Sequence, residues 1–423
     1  MTMHIRSIDF VRRVTLAALA LALASGWGIA AAGTWVGSWG AAPEPPTASR
    51  GPMRGTPSFD DVTIRESVRL SAGGRRLRIR FTNEYGKHPL VIGAATVALV
   101  GKNGKIEPGS LKSVLFGGRA GTVIPAGAPF LSDPVDLTVP PLATLSISVY
   151  VPQSTGPCTC HSVARETVGV SGRGNFTRQA FQPRTTLQSF AFISGVELES
   201  AVPAKAIVAL GDSITDGVGS TPGANRRWPD LLADRLERRG HDPQWGVVNM
   251  GISGNRVLDD GAGQSALARF DRDVLSVPGA AYVIVFEGVN DLGISYGHFA
   301  GPLAKMFASL APAHKATAAR MIEGYRQIIA RAHLDGLKVI GATITPYGGS
   351  GYYSKQGNAV REAINHWIRT SGAFDGVIDF DAVMRDKKDP TRIAAPLQAG
   401  DHLHGSDAGY EAMTKSIALS LFK

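Results

Sequence analysis

Hydrophobic and polar positions follow two different rhythms along this chain. From Trp35 to about Leu198 they alternate in twos. The stretch DVTIRESVRLSAGGRRLRIRFTNEYG places Val62, Ile64, Val68 and Leu70 at even spacing and, beyond SAGG, Leu77, Ile79 and Phe81. Alternation gives a strand one buried face, and two such runs around a glycine-containing turn predict a hairpin. HPLVIGAATVALVG, GTVIPAGA and VDLTVPPLATLSISVYVP continue in the same manner, with Pro and Gly between short apolar runs. No window in this half spaces its apolar residues as a helix does. A β-sandwich or jelly roll is expected over 33–200.

Beyond ELESAVPAKA the rhythm changes. Continuous apolar runs at 206–210, 246–249, 282–286, 339–342 and 376–380 read as buried parallel strands. Between them RWPDLLADRLERRG, TAARMIEGYRQIIARAHLDG and NAVREAINHWIRTSG predict helices, the second with Ile322, Tyr325, Ile329 and Ala332 on one face. The tail SDAGYEAMTKSIALSLF carries Tyr410, Met413, Ile417 and Leu421 as another stripe, with Asp407 as the expected N-cap. Strand–helix alternation over 201–423 predicts an open parallel sheet flanked by helices, an α/β fold whose ligands bind at the carboxyl ends of the strands.

The first 32 residues stand apart from both patterns. Arg6, Arg12 and Arg13 precede an apolar run from Val14 to Ala24, and Ala30-Ala31-Ala32 offers a small-residue cleavage site before Gly33. This is the layout of a secretory signal peptide, and the run is short of the ~20 residues a spanning helix needs. A secreted or periplasmic protein without stable membrane insertion is expected. The Arg12-Arg13 pair leaves both the general and the twin-arginine export routes open. The leader's three arginines and Asp9 carry +2 of the formal +9, which leaves +7 on the remainder. Those cations are scattered singly or in pairs without interleaved aromatics, so nucleic acid is not an expected partner. The two cysteines, Cys158 and Cys160 in GPCTCHS, are separated by one residue. Two free thiols are expected there, since a mutual disulfide closes a very small ring. His161 adds too few ligands for a metal site.

Four polar segments fall at or beyond the predicted strand ends. VALGDSITDG puts Ser213 in a glycine-flanked turn after the first parallel strand. NMGISGNRV follows the second strand with Gly251 and Gly254, and EGVNDLG follows the third with Asn290 and Asp291. GDHLHGSDAGY carries Asp401, His402 and His404 just before the last helix. Brought to one rim, these segments supply what acyl transfer requires. A serine needs a base to take its proton, an imidazole needs a carboxylate to fix its tautomer, and an oxyanion needs donors aimed at it in advance.

The order GDSITDG, GISGN, GVND and a terminal Asp-x-x-His resembles the GDSL, or SGNH, hydrolase family over roughly 204–423. The resemblance implies a flavodoxin-like three-layer α/β/α domain with a parallel sheet. It further implies Ser213 as nucleophile, His404 as base and Asp401 as its orienting acid. The oxyanion donors would be the backbone N–H of Ser213, that of Gly254 and the side-chain amide of Asn290. No cofactor or metal is implied. The sequence departs from the family's habit at His402 and Gly405, where a small residue and a proline are more common. His402 is a second base by type, but only His404 has the Asp-x-x-His spacing. GTWVGSWGAAPEPP, RLRIRFTNEYGKHPLVIGAA and SDPVDLTVPPLATLSISVYVP are similar to the β-domain of secreted two-domain members described as arylesterase-like or xylan-esterase-like. The expected layout is therefore a signal peptide over 1–32, a β-domain over 33–200 and a hydrolase domain over 201–423. The expected substrate is a small-molecule or polysaccharide ester.

Other readings use the same residues. GISYG at 293–297 fits a Gly-x-Ser-x-Gly elbow around Ser295, although it lies beyond the strand end rather than at the corner. Asp401, His402 and His404 are all metal-ligand types. Asp212 reads as a brace for the Ser213 turn, and Trp228 as either a core aromatic or a cleft wall. An acyltransferase passing the acyl group to a sugar and a non-catalytic envelope glycan-binding protein are the alternative functions.

Overall fold

In the computed structural model, residues 33–48, 55–102, 104–240, 242–299, 304–305 and 308–423 are described. The expected signal peptide lies outside them. Strands dominate from Thr34 to Ser200, with no helix among the described residues of that stretch. Most of them form two large antiparallel sheets, beside two small two-stranded ones. One runs Thr34–Gly40, Ile193–Ser200, Gly74–Thr82 and Pro129–Leu131, with Val135–Val139 also paired to Gly74–Thr82. The other runs Thr185–Leu187, Val168–Arg173, Val62–Arg69, Thr144–Val151, Ala94–Val100 and Lys112–Val114.

The alternation around SAGG is strand pattern, but the two strands do not form a hairpin. Val62–Arg69 belongs to the six-stranded sheet and Gly74–Thr82 to the other. The link's own backbone explains the crossing. Leu70 N–H donates to the Ala143 carbonyl and Ser71 N–H to the Ser38 carbonyl, each at 2.9 Å, so consecutive residues are tied to different sheets. Ile64, Val68, Leu77, Ile79 and Phe81 are all buried in one apolar core. The cysteines depart from the expected thiols: Cys158 and Cys160 are joined in a disulfide. Their Cα atoms are 5.4 Å apart, inside the ordinary range for a bridge, so one intervening residue is enough.

The second half is a five-stranded parallel sheet. Its order is Gln244–Gly251, Ala204–Gly211, Ala280–Phe286, Lys338–Ala342 and Gly376–Ile378, which is 2-1-3-4-5 in chain order and thus flavodoxin-like. The predicted helices form at Trp228–Arg239, Ala318–Leu334 and Lys355–Thr370. Each start has a local cause: Asp230 reaches back to the Arg227 N–H, Thr317 accepts from Arg320 and Ser354 from Gly357. On the middle helix the buried stripe is Met321, Tyr325, Ile328, Ile329 and Ala332, which leaves Ile322 at its margin. The final helix stops at Ser416, and a 3₁₀ turn, Leu419–Leu421, completes the tail. Its cap is Ser406, whose Oγ accepts from Gly409, rather than Asp407. Trp228 is a core residue, fully buried against Phe380. Among the described residues no helix is long and apolar enough to cross a membrane.

Residues Thr34–Lys423 form one compact unit. The strand Thr34–Gly40 lies against Gln244–Gly251, where Gly37 N–H donates to the Pro278 carbonyl at 2.9 Å. The Ser71 hydroxyl accepts from Val247 N–H at 2.8 Å, and Arg69 pairs with Asp234.

One polar residue interrupts the β-core. Glu66 is fully buried on the face of Ile64 and Val68, with Oε1 accepting from Ala191 N–H at 2.6 Å and no partner for Oε2 among the described residues. Burial pushes its pKa up to about 8, against the opposing effect of the Ala191 bond. The folded chain therefore holds a proton that the unfolded chain releases, and stability falls as pH climbs from about 4.5 to about 8. Glu66→Gln keeps the shape and the acceptor without the charge. It is expected to be about 1–3 kcal/mol more stable than wild type near pH 8 and to lose that advantage near pH 5, as read by thermal unfolding.

Candidate active site

The strand Ala204–Gly211 delivers Ser213 to the carboxyl rim of the parallel sheet. Ser213 opens a single helical turn, Ser213–Asp216, capped by Asp212, whose Oδ1 accepts from Ile214 N–H at 2.9 Å. That turn lies against the end of the neighbouring strand so closely that a Cβ on Gly251 would come within 2.4 Å of Asp216 N. Only glycine allows this approach, which explains the small residue at the start of GISGN.

Ser213, His404 and Asp401 are in direct contact. Ser213 Oγ lies 2.8 Å from His404 Nε2, and His404 Nδ1 lies 2.5 Å from Asp401 Oδ2. Asp401 Oδ1 accepts from the backbone N–H groups of Leu403 and His404 at 3.0 and 2.9 Å, so its carboxylate also shapes the loop that carries the imidazole. Partial burial works against its charge, but these bonds and the His404 ring outweigh it and hold Asp401 well below the usual carboxylate range. Asp401 thus stays an anion, and its Oδ2 fixes the proton on Nδ1, leaving Nε2 as the acceptor facing Ser213.

The loops that follow the second and third parallel strands are built on each other. Asn290 lies in a helix, Val289–Tyr296, that follows the third strand directly. Its Nδ2 donates to the Asn255 carbonyl at 2.9 Å, and its Oδ1 accepts from Tyr352 OH at 3.0 Å. One Nδ2 hydrogen is left over from that pairing. Its neighbour Asp291 accepts from Val257 and Leu258 N–H at 2.8 and 3.1 Å, pinning the same loop. Gly254 adopts a φ of +83°, a conformation that favours glycine. The N–H groups of Ser213 and Gly254 donate to no protein acceptor among the described residues.

Beneath the rim lies a cluster that sequence patterns did not reveal. Arg269 is completely buried and donates to the carbonyls of Met250 (2.6 Å) and Gly211 (3.0 Å), to Asn255 Oδ1 (2.9 Å) and to Asp273 (2.9 Å). Asn255 in turn donates to the Ala262 and Gln264 carbonyls. Burial raises Asp212 to about 7, opposed by the Ile214 bond and by His404, and raises Asp291 to about 6. Asn255 and Asp291 adjoin Gly254 and Asn290, so their motifs pointed to them. Arg269 in LARFDRD and Tyr352 carried no such signal.

The competing candidates lie elsewhere. The His402 ring sits beside Gly349, and its backbone N–H, at a φ of +61°, donates to Gln398. Ser295 lies inside the helix Val289–Tyr296, not at its start, and its Oγ accepts from Ala316 N–H. Among the described residues no group of three or more His, Cys, Asp or Glu side chains is arranged to hold a metal ion. Asp407 is engaged with Thr221, accepting from its N–H and hydroxyl at 2.8 and 2.7 Å.

Residues 209–412 match the GDSL-like lipase/acylhydrolase family. No curated protein matches the chain. Among solved structures it is similar to an acetyl xylan esterase from Geobacillus stearothermophilus (19% identity, 52% of this chain and 95% of that one, TM-score 0.38). It is also similar to a lipase/acylhydrolase from Enterococcus faecalis (22% identity, 50% and 92%, TM-score 0.37). A third is an aryl esterase from M. smegmatis (16% identity, 50% and 94%, TM-score 0.37). Residues 209–412, which include Ser213, Gly254, Asn290, Asp401 and His404, thus form a GDSL-like lipase/acylhydrolase domain, and the protein is a carboxylic ester hydrolase.

Proposed function

We propose that the protein is an exported serine esterase that removes short acyl groups, acetyl first among them, through a Ser213–His404–Asp401 triad and an acyl-enzyme. The observation that carries the reading is the unbroken hydrogen-bonded chain from Asp401 through both ring nitrogens of His404 to Ser213 Oγ. It ends at Ser213, whose N–H, like that of Gly254, donates to no protein acceptor among the described residues, and the Asn290 amide has a hydrogen to spare.

In this reading Ser213 Oγ attacks the ester carbonyl as His404 Nε2 takes its proton. The carbonyl electrons move to oxygen, and the resulting anion receives bonds from the N–H groups of Ser213 and Gly254 and from Asn290 Nδ2. Collapse breaks the bond to the alcohol, which leaves with the proton from His404. Water then attacks the acyl-serine, gives its proton to His404, and the acid departs as Ser213 is restored. Asp401 stays ionised throughout and stabilises the imidazolium.

Export is supported by the basic-apolar-small layout of residues 1–32 and by the Cys158–Cys160 disulfide, which persists in oxidising compartments. Acetyl groups on plant cell-wall polysaccharide are the first substrate class this reading names, with aryl and lipid esters next. The support for that order is the two-part sequence resemblance together with export.

Ser213→Ala is expected to lower p-nitrophenyl acetate hydrolysis by at least about 10³-fold, while Ser295→Ala stays within about twofold of wild type. Activity that survives Ser213→Ala would overturn the mechanism. Asn290→Ala is expected to lower kcat by about 10²–10³ with little change in KM, since its amide meets a charge present only in the transition state. Across p-nitrophenyl esters from acetate to octanoate, kcat/KM should decline with acyl length, and acetate should be released from acetylated xylan. A rise toward octanoate would replace the acetyl reading with a lipid one.

A further inference from the structure

One buried histidine of the β-half is aimed at the catalytic rim. His161 follows the disulfide-bonded Cys160 and is 5% exposed. Its Nε2 lies 3.0 Å from Asp216 Oδ1, and its Nδ1 lies 3.1 Å from the Ala42 carbonyl and 3.4 Å from Glu44 Oε1. Both ring nitrogens thus face oxygens that can only accept, so both are called on to donate. Phe190 stacks over the ring, with centroids 6.4 Å apart. Glu44 is fixed in its turn: its N–H donates to the Cys160 carbonyl at 2.8 Å, and its carboxylate accepts from the N–H and hydroxyl of Ser162.

Asp216 is the other end of this contact and joins the two catalytic segments. It closes the single helical turn that Ser213 opens. Its Oδ2 accepts from Ser253 N–H at 3.1 Å and from Ser253 Oγ at 2.6 Å, one residue before Gly254. Asp216 is 1% exposed, so its carboxylate has lost nearly all contact with water. A carboxylate out of reach of water needs a hydrogen-bond donor at each oxygen, and a cationic donor serves best. His161 makes that contact; Arg227, which pairs with Asp230, adds a longer-range attraction.

We propose that His161 is a positioning residue for ester hydrolysis: by holding the Asp216 carboxylate in place, it fixes the Ser253–Gly254 turn so that the Gly254 N–H meets the oxyanion. The β-half then does more than flank the sheet, because it supplies one of the groups that shape the catalytic rim. The electrostatics agree with the geometry. Burial works against a charged ring, but Asp216, Glu44 and the Ala42 carbonyl outweigh it and push His161 up to about 9. The pKa is raised above its unfolded value, so this contribution is complete below about pH 6.5 and is lost as pH rises through about 9.

The inference rests on the proposed oxyanion role of Gly254, and its test separates the two. kcat and KM for p-nitrophenyl acetate would be measured for wild type, His161→Ala, His161→Gln and Ser253→Ala. The Ki of phenylboronic acid, which forms a tetrahedral adduct on an active serine, would be measured beside them. His161→Ala is expected to lower kcat about 10- to 100-fold with KM within about threefold, and to raise Ki by a similar factor. His161→Gln retains a donor toward Asp216 and should recover part of the loss. Ser253→Ala should shift kcat and Ki in the same direction by a smaller factor. Ki is a property of each active site, so a mere loss of folded protein would leave it unchanged. Unchanged kcat and Ki in folded His161 variants would overturn the inference. If those variants do not fold, Ser253→Ala decides it by the same readouts. Activity retained by Ser213→Ala would instead sink the underlying mechanism. An inert Ser213→Ala beside wild-type behaviour at His161 and Ser253 would sink only the positioning role.

Discussion

Arg269 has no access to water, and its guanidinium is answered by Asp273 and by pieces of the sheet's carboxyl rim. It binds the carbonyls that end the first two parallel strands, Gly211 and Met250, together with the side chain of Asn255. A buried guanidinium left without these partners would cost several kcal/mol, so strand ends and loop must keep their mutual positions for the cation to be tolerated. Asn255 passes the constraint on, since its carbonyl receives the Asn290 amide. Three stretches far apart in sequence are thereby locked to one another before any substrate arrives. Such preorganisation is what lets hydrogen-bond donors lower a barrier rather than merely bind.

The same economy governs the loops. Asp291 binds two successive N–H groups of the Gly254 loop, while Asn290 beside it binds the carbonyl of Asn255. One pair of adjacent side chains thus satisfies a loop that would otherwise carry unpaired buried backbone groups. Asp216 does the equivalent between the nucleophile's turn and Ser253, with His161 reaching it from the other half of the chain. The catalytic rim is held from below by the α/β sheet and from the side by the β-sandwich.

Much of this was legible in the sequence because it is local. Uninterrupted apolar runs mark strands buried on both faces, and the glycines and polar residues immediately after them mark the rim, so Ser213, Gly254 and Asn290 could be named. The pairing of Asp401 with His404 is local as well, since three residues is the reach of one side chain around a tight loop and the two lie 2.5 Å apart. What was not legible depends on partners distant in sequence. The alternation on either side of SAGG is the same whether the strands pair or face each other across a core; the Ser71–Ser38 bond decides, and Ser38 lies in a separate strand. The disulfide is not legible from ring size, because it depends on the 5.4 Å separation of the Cys158 and Cys160 Cα atoms that the fold sets. Arg269, Tyr352 and His161 carry no motif, since each earns its place through contacts more than a dozen residues away.

The electrostatics of the rim follow from the same burial. Asp212, Glu287 and Asp291 are all enclosed near the base of the nucleophile's turn, with Arg269 the cation within 3.5 Å of Glu287. Burial first, and then the Asp212 charge, raise Glu287 well above the ordinary carboxylate range. Asp212, raised to about 7, is divided between its two forms at neutral pH. A fully ionised trio would set a strong negative potential beneath Ser213 and oppose the oxyanion that must form above it. The upward shifts of these acids relax that opposition. In the proposed mechanism, the oxyanion would then meet its donors without the full opposition of three buried anions, and Asp401 would serve the imidazolium.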